Sequence, residues 1–234
     1  MTNERENNYK KIQIVAGNLD YLLNEVVFLG GSVVGFLLSD TAAPDVRHTL
    51  DVDIIVGVQT RKEYYKLSDK LKELGFRECK ESGLICRWKI EGIVVDIMPI
   101  NEKILGFSNR WYPLSMETAQ PYQVTEDLKI KLITPPCFIA TKLAAFDSRG
   151  EAEDFLLSKD VMDIIYVING RMEIVDEVAN SSEELRKYLY RKFKRFLGNQ
   201  FFLEAIQGAL LPDMESQSRS DIIVERIKNI IKNK

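Results

Sequence analysis

Every strand-like run in this chain lies before residue 134, and that distribution limits what the chain can fold into. "VVFLGG", "DVDIIVGV", "FRECK", "LICRWKI", "IVVDIMPI" and "LKIKLIT" are short, rich in β-branched residues and bounded by turn residues, which is the pattern of strands. Glu91-Gly92 reads as a tight turn joining two of them. Helical patterns fall between the runs. Ile12, Val15, Leu19, Leu22 and Leu23 form one stripe and predict a helix over 9–24. Thr60 and Glu63 make a capping box, opening a helix that closes at Gly75. "SVVGFLL" is expected to be a short helix with Ser32 as N-cap. "DTAAPDVRH" and the mixed aromatic stretch 101–124 read as loops.

Beyond residue 134 the pattern is helical only. Thr134 can cap, and Pro135 and Pro136 suit first-turn positions. A helix follows through "CFIATKLAAFDS" to about Arg149. Ser158 opens another, "KDVMDIIYVI", which stops at Asn169-Gly170. The remainder reads as helices broken near Gly198, Pro212 and "ESQSRSD". Strands mixed with helices, then helices alone, predict an α+β architecture. A mixed β-sheet flanked by helices is expected over 1–125, followed by a mainly helical domain over 126–234.

Two aspartates interrupt the aliphatic run after the glycine turn. Asp51 and Asp53 are two apart, so in a strand they point to one face while Val52 and Ile54 point to the other. Their Cα atoms then lie roughly 6.5–7 Å apart. Asp96 shares a face with Val94 and Met98 in a later aliphatic run, and the three carboxylates converge if the two strands are neighbours. Gathered carboxylates repel one another and lose hydration. A cation relieves both costs, and oxygen-only ligands favour Mg²⁺ or Mn²⁺. The bland alternative is a solvated sheet face. Gly30-Gly31-Ser32, where a strand meets a helix, can let a phosphate approach the backbone, although the same tripeptide also serves as an ordinary turn. Together the two motifs point to a turn that holds nucleotide phosphates beside carboxylates that hold a divalent ion.

This combination resembles the DNA polymerase β-like nucleotidyltransferase superfamily. Two stretches are similar to its AbiEii/AbiGii toxin group, which includes the MenT-like toxins. One is "RHTLDVDIIV", with Arg47, Thr49, Asp51 and Asp53. The other is "TKLAAFDSRGEAEDFLLSKDVMDIIYVI", with Lys142, Arg149, Lys159-Asp160 and Asp163-Ile164. The resemblance covers about residues 26–169. It implies a nucleotidyltransferase fold and Mg²⁺-dependent transfer of a nucleoside monophosphate from an NTP, to an acceptor that can be tRNA. It also implies a toxin role, opposed by a cognate antitoxin or exerted in phage defence. By position, Gly30, Gly31 and Ser32 would hold the triphosphate, with Arg47 and Thr49 beside it. Asp51, Asp53 and Asp96 would hold metal, Lys142 would bind phosphate, and Asp160 would complete the site. The span between Ser32 and Asp51, filled by "SDTAAPDVRH", is longer than the group's pattern.

Each of these residues also has a plainer reading. Lys142 sits mid-helix among apolar residues and can snorkel to solvent. Asp160, in a first helical turn, is favoured there by the helix dipole alone. His48, the single histidine, is expected to be exposed. In "LRKYLYRKFKRF", Leu185, Leu189, Phe193 and Phe196 form an apolar stripe opposite Lys187, Arg191, Lys194 and Arg195. That basic face suits RNA or is simply solvated. The formal charge of −3 gives no global case for nucleic acid. Cys79, Cys86 and Cys137 lack zinc or redox spacing and are expected as free thiols in a reducing cytoplasm. The polar start of the chain has no signal-peptide core, and no apolar run has membrane-spanning length. Two rival functions remain: the same chemistry on a small-molecule or protein acceptor, and a catalytically inactive binding module.

Overall fold

Residues 4–43, 46–79, 83–149 and 154–232 are described by the computed structural model. Pro44 and Asp45 of the expected loop, Lys80 of "FRECK" and residues 150–153 of the second resembling stretch lie outside the described residues. The chain divides into two units. The first is Met1–Gly35 with Arg47–Thr134, and the second is Phe36–Val46 with Pro135–Lys234.

In the first unit, seven strands form one mixed sheet. In chain order they are β1 (Val26–Leu29), β2 (Asp51–Val56), β3 (Arg77–Glu78), β4 (Arg87–Ile90), β5 (Ile93–Pro99), β6 (Gln120–Gln123) and β7 (Lys129–Leu132). Their spatial order is β3-β4-β5-β2-β1-β7-β6. β2 runs parallel to β5 and antiparallel to β1, and β1 runs parallel to β7. Val52, Ile54, Val95 and Ile97, on the face opposite the aspartates, are buried, and so are Val27 and Phe28 of β1. Helix α1 (Glu4–Leu19) packs against β2 and β5 and buries Ile12, Val15 and Leu19. Thr60 caps α3 (Arg61–Glu73) through the full capping box. Gly75 lies just past its end with φ +88.

Three expectations need correction. Residues 101–124 are not loop: they form α4 (Glu102–Leu105), α5 (Tyr112–Thr118) and β6. β6 is an edge strand with little burial, so it lacks the apolar alternation that betrays a strand, and its Pro121 is tolerated at an edge. Ser32 is not an N-cap. It lies inside a single 3₁₀ turn, Gly31–Val33, with Gly30 before it and only the four-residue helix α2 (Val34–Leu37) after it. The division between units falls at Thr134–Pro135 rather than at 125–126, and Phe36–Val46 groups with the helices.

The second unit holds α6 (Pro135–Ser148), α7 (Lys159–Gly170), α8 (Ile174–Ala179), α9 (Glu183–Leu197), α10 (Gln200–Gly208) and α11 (Met214–Lys232). Phe146, Phe155, Phe196 and Phe202 stack in its core, with neighbouring ring centroids 4.8–5.8 Å apart. Segment 36–46 is fixed to the C-terminal end of α7, where the Ser39 and Asp40 N–H groups both donate to the Gly170 carbonyl at 2.9 Å. Asp40 pairs with Arg219. Arg226 donates to the Ile168 and Asn169 carbonyls at 2.7 and 2.6 Å. These bonds satisfy carbonyls that a helix end leaves open. Among the described residues, no helix is long and apolar enough to cross a membrane.

Candidate functional site

The register of the central strands decides where the acidic residues go. β2 and β5 pair with Asp53 opposite Asp96 and Asp51 opposite Val94. Asp51, Asp53 and Asp96 therefore share one face of the sheet. Leu29, at the end of β1, pairs with Asp53, which brings the following glycine turn to the same place. Gly30 has φ +77, and a Cβ there would lie 1.8 Å from Asp53 Oδ2. Only glycine fits, for conformational and steric reasons together. At Gly31 a Cβ would lie 2.4 Å from Arg47 Nη2 and 2.9 Å from Thr49 Cγ2. The turn is thus lined by Asp53 on one side and by Arg47 and Thr49 on the other.

Helix α1 holds the segment that delivers Arg47 and Thr49. Asn8 is buried, donates to the Arg47 carbonyl at 3.3 Å and accepts from Thr49 Oγ1 at 2.8 Å. Lys11 donates to the Thr49 carbonyl. Ser32 is fully buried, and its hydroxyl has no hydrogen-bond partner among the described residues, so it does not present an oxygen to solvent as expected of a phosphate ligand. His48 is exposed, as expected, with Nδ1 2.8 Å from Glu4 Oε2.

A cation does sit on the acidic face, and it is a side chain. Arg87, opposite Asp96 in the β4–β5 register, donates from Nε to Asp96 Oδ1 at 2.8 Å and from Nη2 to Asp96 Oδ2 at 2.6 Å. Nη2 also lies 3.4 Å from Asp51 Oδ2. The two-pronged contact with Asp96 holds the guanidinium well above its usual range. Next to it in the chain, burial pushes the Cys86 thiol up to about 11. Cys86 and Cys137 are buried, and among the described residues none of the three cysteines forms a disulfide.

The expectation that three carboxylates close around one ion needs amendment. Among the described residues, no three His, Cys, Asp or Glu side chains gather closely enough to hold a metal. Asp96 has both oxygens on Arg87. Asp51 and Asp53 still offer hard oxygen donors beside a turn whose glycines make room for the Asp53 carboxylate and the Arg47 guanidinium. One or two carboxylates completed by substrate phosphates is the usual environment of Mg²⁺, so these two residues fit such an ion.

Lys142 and Asp160 belong to the second unit, where they form a compact charge cluster. Lys142 Nζ lies 2.7 Å from Asp163 Oδ2 and 3.1 Å from Asp160 Oδ1. Arg149 Nη1 is 3.0 Å from Asp160 Oδ2, at ion-pair range without hydrogen-bond geometry. Asp160 and Asp163 are almost wholly buried and Lys142 nearly so, whereas Arg149 is exposed. On α9 the expected stripe is buried at Leu185, Leu189, Phe193 and Phe196. Lys187, Arg191, Lys194 and Arg195 are exposed. Part of that charge is matched locally: Lys187 pairs with Glu183, and Arg195 with Asp147.

Sequence reading missed Arg87, Asn8 and Lys11. The signal for Arg87 was present. A two-residue turn at Glu91-Gly92 pairs Ile90 with Ile93, and stepping outward pairs Arg87 with Asp96. Both turn residues do have positive φ, +48 and +80. No protein-family model matches the chain, and no curated protein matches it significantly.

Proposed function

We propose that this protein is a divalent-metal-dependent nucleotidyltransferase of the DNA polymerase β-like kind. In this reading it transfers an NMP from an NTP to a hydroxyl on RNA, with tRNA as the favoured acceptor. The observation that carries the reading is the register placing Asp51, Asp53 and Asp96 on one sheet face, with Gly30 pressed against Asp53. In the reaction the acceptor oxygen bonds to the α-phosphorus, the bond to the bridging oxygen breaks, and pyrophosphate leaves. Asp51 and Asp53 hold Mg²⁺ or Mn²⁺, which when bound supplies polarisation of the phosphoryl group and charge neutralisation of the leaving pyrophosphate. The glycine turn admits the phosphates to the backbone, and Arg47, beside Gly31, adds a positive charge. Asp96 orients Arg87 and accepts the proton of the acceptor hydroxyl once that pairing loosens.

The family resemblance assigns phosphate binding to Lys142 and a site role to Asp160. The exposed Lys187, Arg191, Lys194 and Arg195 fit a phosphate-tracking surface. The resemblance also supports a toxin role in the cytoplasm, with an antitoxin as partner. Incubation with each labelled NTP, Mg²⁺ and either total RNA or RNA-free lysate tests the reading. Label is expected in RNA with wild type and absent with Asp53→Asn; equal labelling by both proteins rejects the site. Label in the RNA-free arm alone moves the acceptor to a protein or small molecule.

One observation favours a second reading. The Arg87 fork on Asp96 is what a site that binds without turnover would also contain, since a fixed counter-charge removes the need for a metal. Absence of Mg²⁺-dependent NTP binding, with no transfer to any acceptor, would select that binding-module reading.

A further inference from the structure

Arg87 does more than decorate the acidic face. Its guanidinium lies on the acidic face of the sheet, bridging Asp96 at 2.6 and 2.8 Å and approaching Asp51 at 3.4 Å. It is half-buried, with 28% of the side chain exposed, and Asp96 is 13% exposed. A partly buried pair is screened less than one at the open surface. The hairpin register fixes its position, because the Glu91-Gly92 turn leaves no slack between Arg87 and Asp96.

We infer that Arg87 is a resident counter-cation that competes with the divalent ion for the carboxylates. It weakens Asp96 as a metal ligand, holds part of Asp51's charge, and so lowers the affinity of the empty site for metal. The inference rests on the proposed nucleotidyltransferase reading and adds to it a regulation of the same site. Three physical points support it. The fork takes one lone pair on each Asp96 oxygen, so a metal bound there would share both oxygens with the guanidinium and meet a weaker donor. A unit positive charge within a few ångströms opposes an incoming divalent ion directly. Arg87 also lines a separate groove of about 460 Å³ with Tyr64, Tyr65, Ser68, Leu84 and Trp88, which gives the side chain somewhere to turn when it lets go. Metal therefore binds well only when something else, such as the charge of an arriving triphosphate, draws Arg87 or adds ligands. Arg87 acts here as a positioning residue.

The test is a Mn²⁺ titration of the full-length protein, reading free Mn²⁺ by electron paramagnetic resonance, for wild type, Arg87→Lys, Arg87→Met and Asp53→Asn. Arg87→Met keeps length and removes charge, and it should bind Mn²⁺ about tenfold more tightly, the order expected for losing one nearby charge at a partly exposed site. Arg87→Lys keeps the charge but not the fork, and should fall between the two, about threefold tighter than wild type. Without Mn²⁺, Arg87→Met should melt below wild type, and saturating Mn²⁺ should raise its melting temperature more than it raises that of wild type. A merely structural arginine would give equal or weaker Mn²⁺ binding in both variants, and that result overturns the inference. Should Arg87→Met fail to fold, the comparison of Arg87→Lys with wild type decides alone, in the same direction. If Asp53→Asn abolishes Mn²⁺ binding while the Arg87 series is flat, the inference falls and the nucleotidyltransferase reading stands. If no protein in the series binds Mn²⁺, both fall.

Discussion

Two charge clusters, one in each unit, use the same residue types to different effect. On the sheet, Asp51 and Asp96 share the Arg87 guanidinium, and both, like Asp53 on the same face, are partly exposed. In the helical unit, Asp160 and Asp163 face Lys142 and Arg149, two acids to two bases, with both carboxylates almost fully buried. In the second cluster, burial requires each carboxylate to keep a cationic partner, whereas charge kept within reach of solvent stays accessible to a ligand. Exposure, more than residue type, separates the two clusters.

The largest effect should come from breaking the buried cluster. Lys142→Met removes the cation from two buried carboxylates and should cost about 3–5 kcal/mol of stability, read by urea denaturation. A loss under about 1 kcal/mol would mark Lys142 as spare for another role and strengthen its assignment to phosphate. On the partly exposed sheet cluster a smaller cost is expected. Asp53→Asn keeps the side chain's shape and should cost under about 1 kcal/mol, while nucleotidyl transfer drops at least about a hundredfold, the upper range for disturbing even a supporting ligand. If both substitutions damaged stability alike, the contrast between the clusters would disappear.

Gly30→Ala probes the turn beside Asp53. The forced φ and the overlap with the carboxylate should together cost about 1–3 kcal/mol and displace Asp53, so transfer activity should fall with stability. The smallest effect concerns Asp40 of the second unit. Its hydrogen bond from Arg219, followed by that from the Ala42 N–H, holds the carboxyl below its ordinary value of 3.8. A depressed acid contributes stability above its unfolded pKa and loses it as pH falls through the folded value. Melting temperature should therefore drop below about pH 4, and Asp40→Asn should flatten that part of the curve. An unchanged acid limb in the variant would show that Asp40 contributes nothing to it.

Much of the sheet was legible because β2 and β5 alternate cleanly, and period two fixes which residues share a face. Asp51 and Asp53 were therefore placed on one face of their strand, and Asp96 joins them there because β5 is the neighbour of β2. The capping box at Thr60 and the cap at Ser158 are local hydrogen bonds, encoded within four residues, and both form. What failed was weakly amphipathic or long-range. α4, α5 and β6 are short and bury few side chains, Ile104 and Ser115 among them, so periodicity had little to act on. The turn after β1 looked like a helix start, yet Ser32 is buried inside it, because tertiary packing and not capping sets its place. Arg87 was overlooked because a lone arginine in a strand carries no local mark. Only counting outward from the hairpin turn reveals its partner.

The eleven residues Phe36–Val46 give the chain an out-and-back path: it leaves the sheet unit after Gly35, joins the helices, and returns at Arg47 to build β2. No single scission can therefore separate the two units. A fragment ending at Thr134 would keep Leu37 and Val46, which are buried in the intact protein, but would lose the Gly170 carbonyl and Arg219 that fasten this stretch. A fragment starting at Pro135 would keep those anchors and have nothing to fasten. Truncation experiments on this protein should thus give two poorly behaved halves, and co-expression of the halves is the form in which either should be recovered.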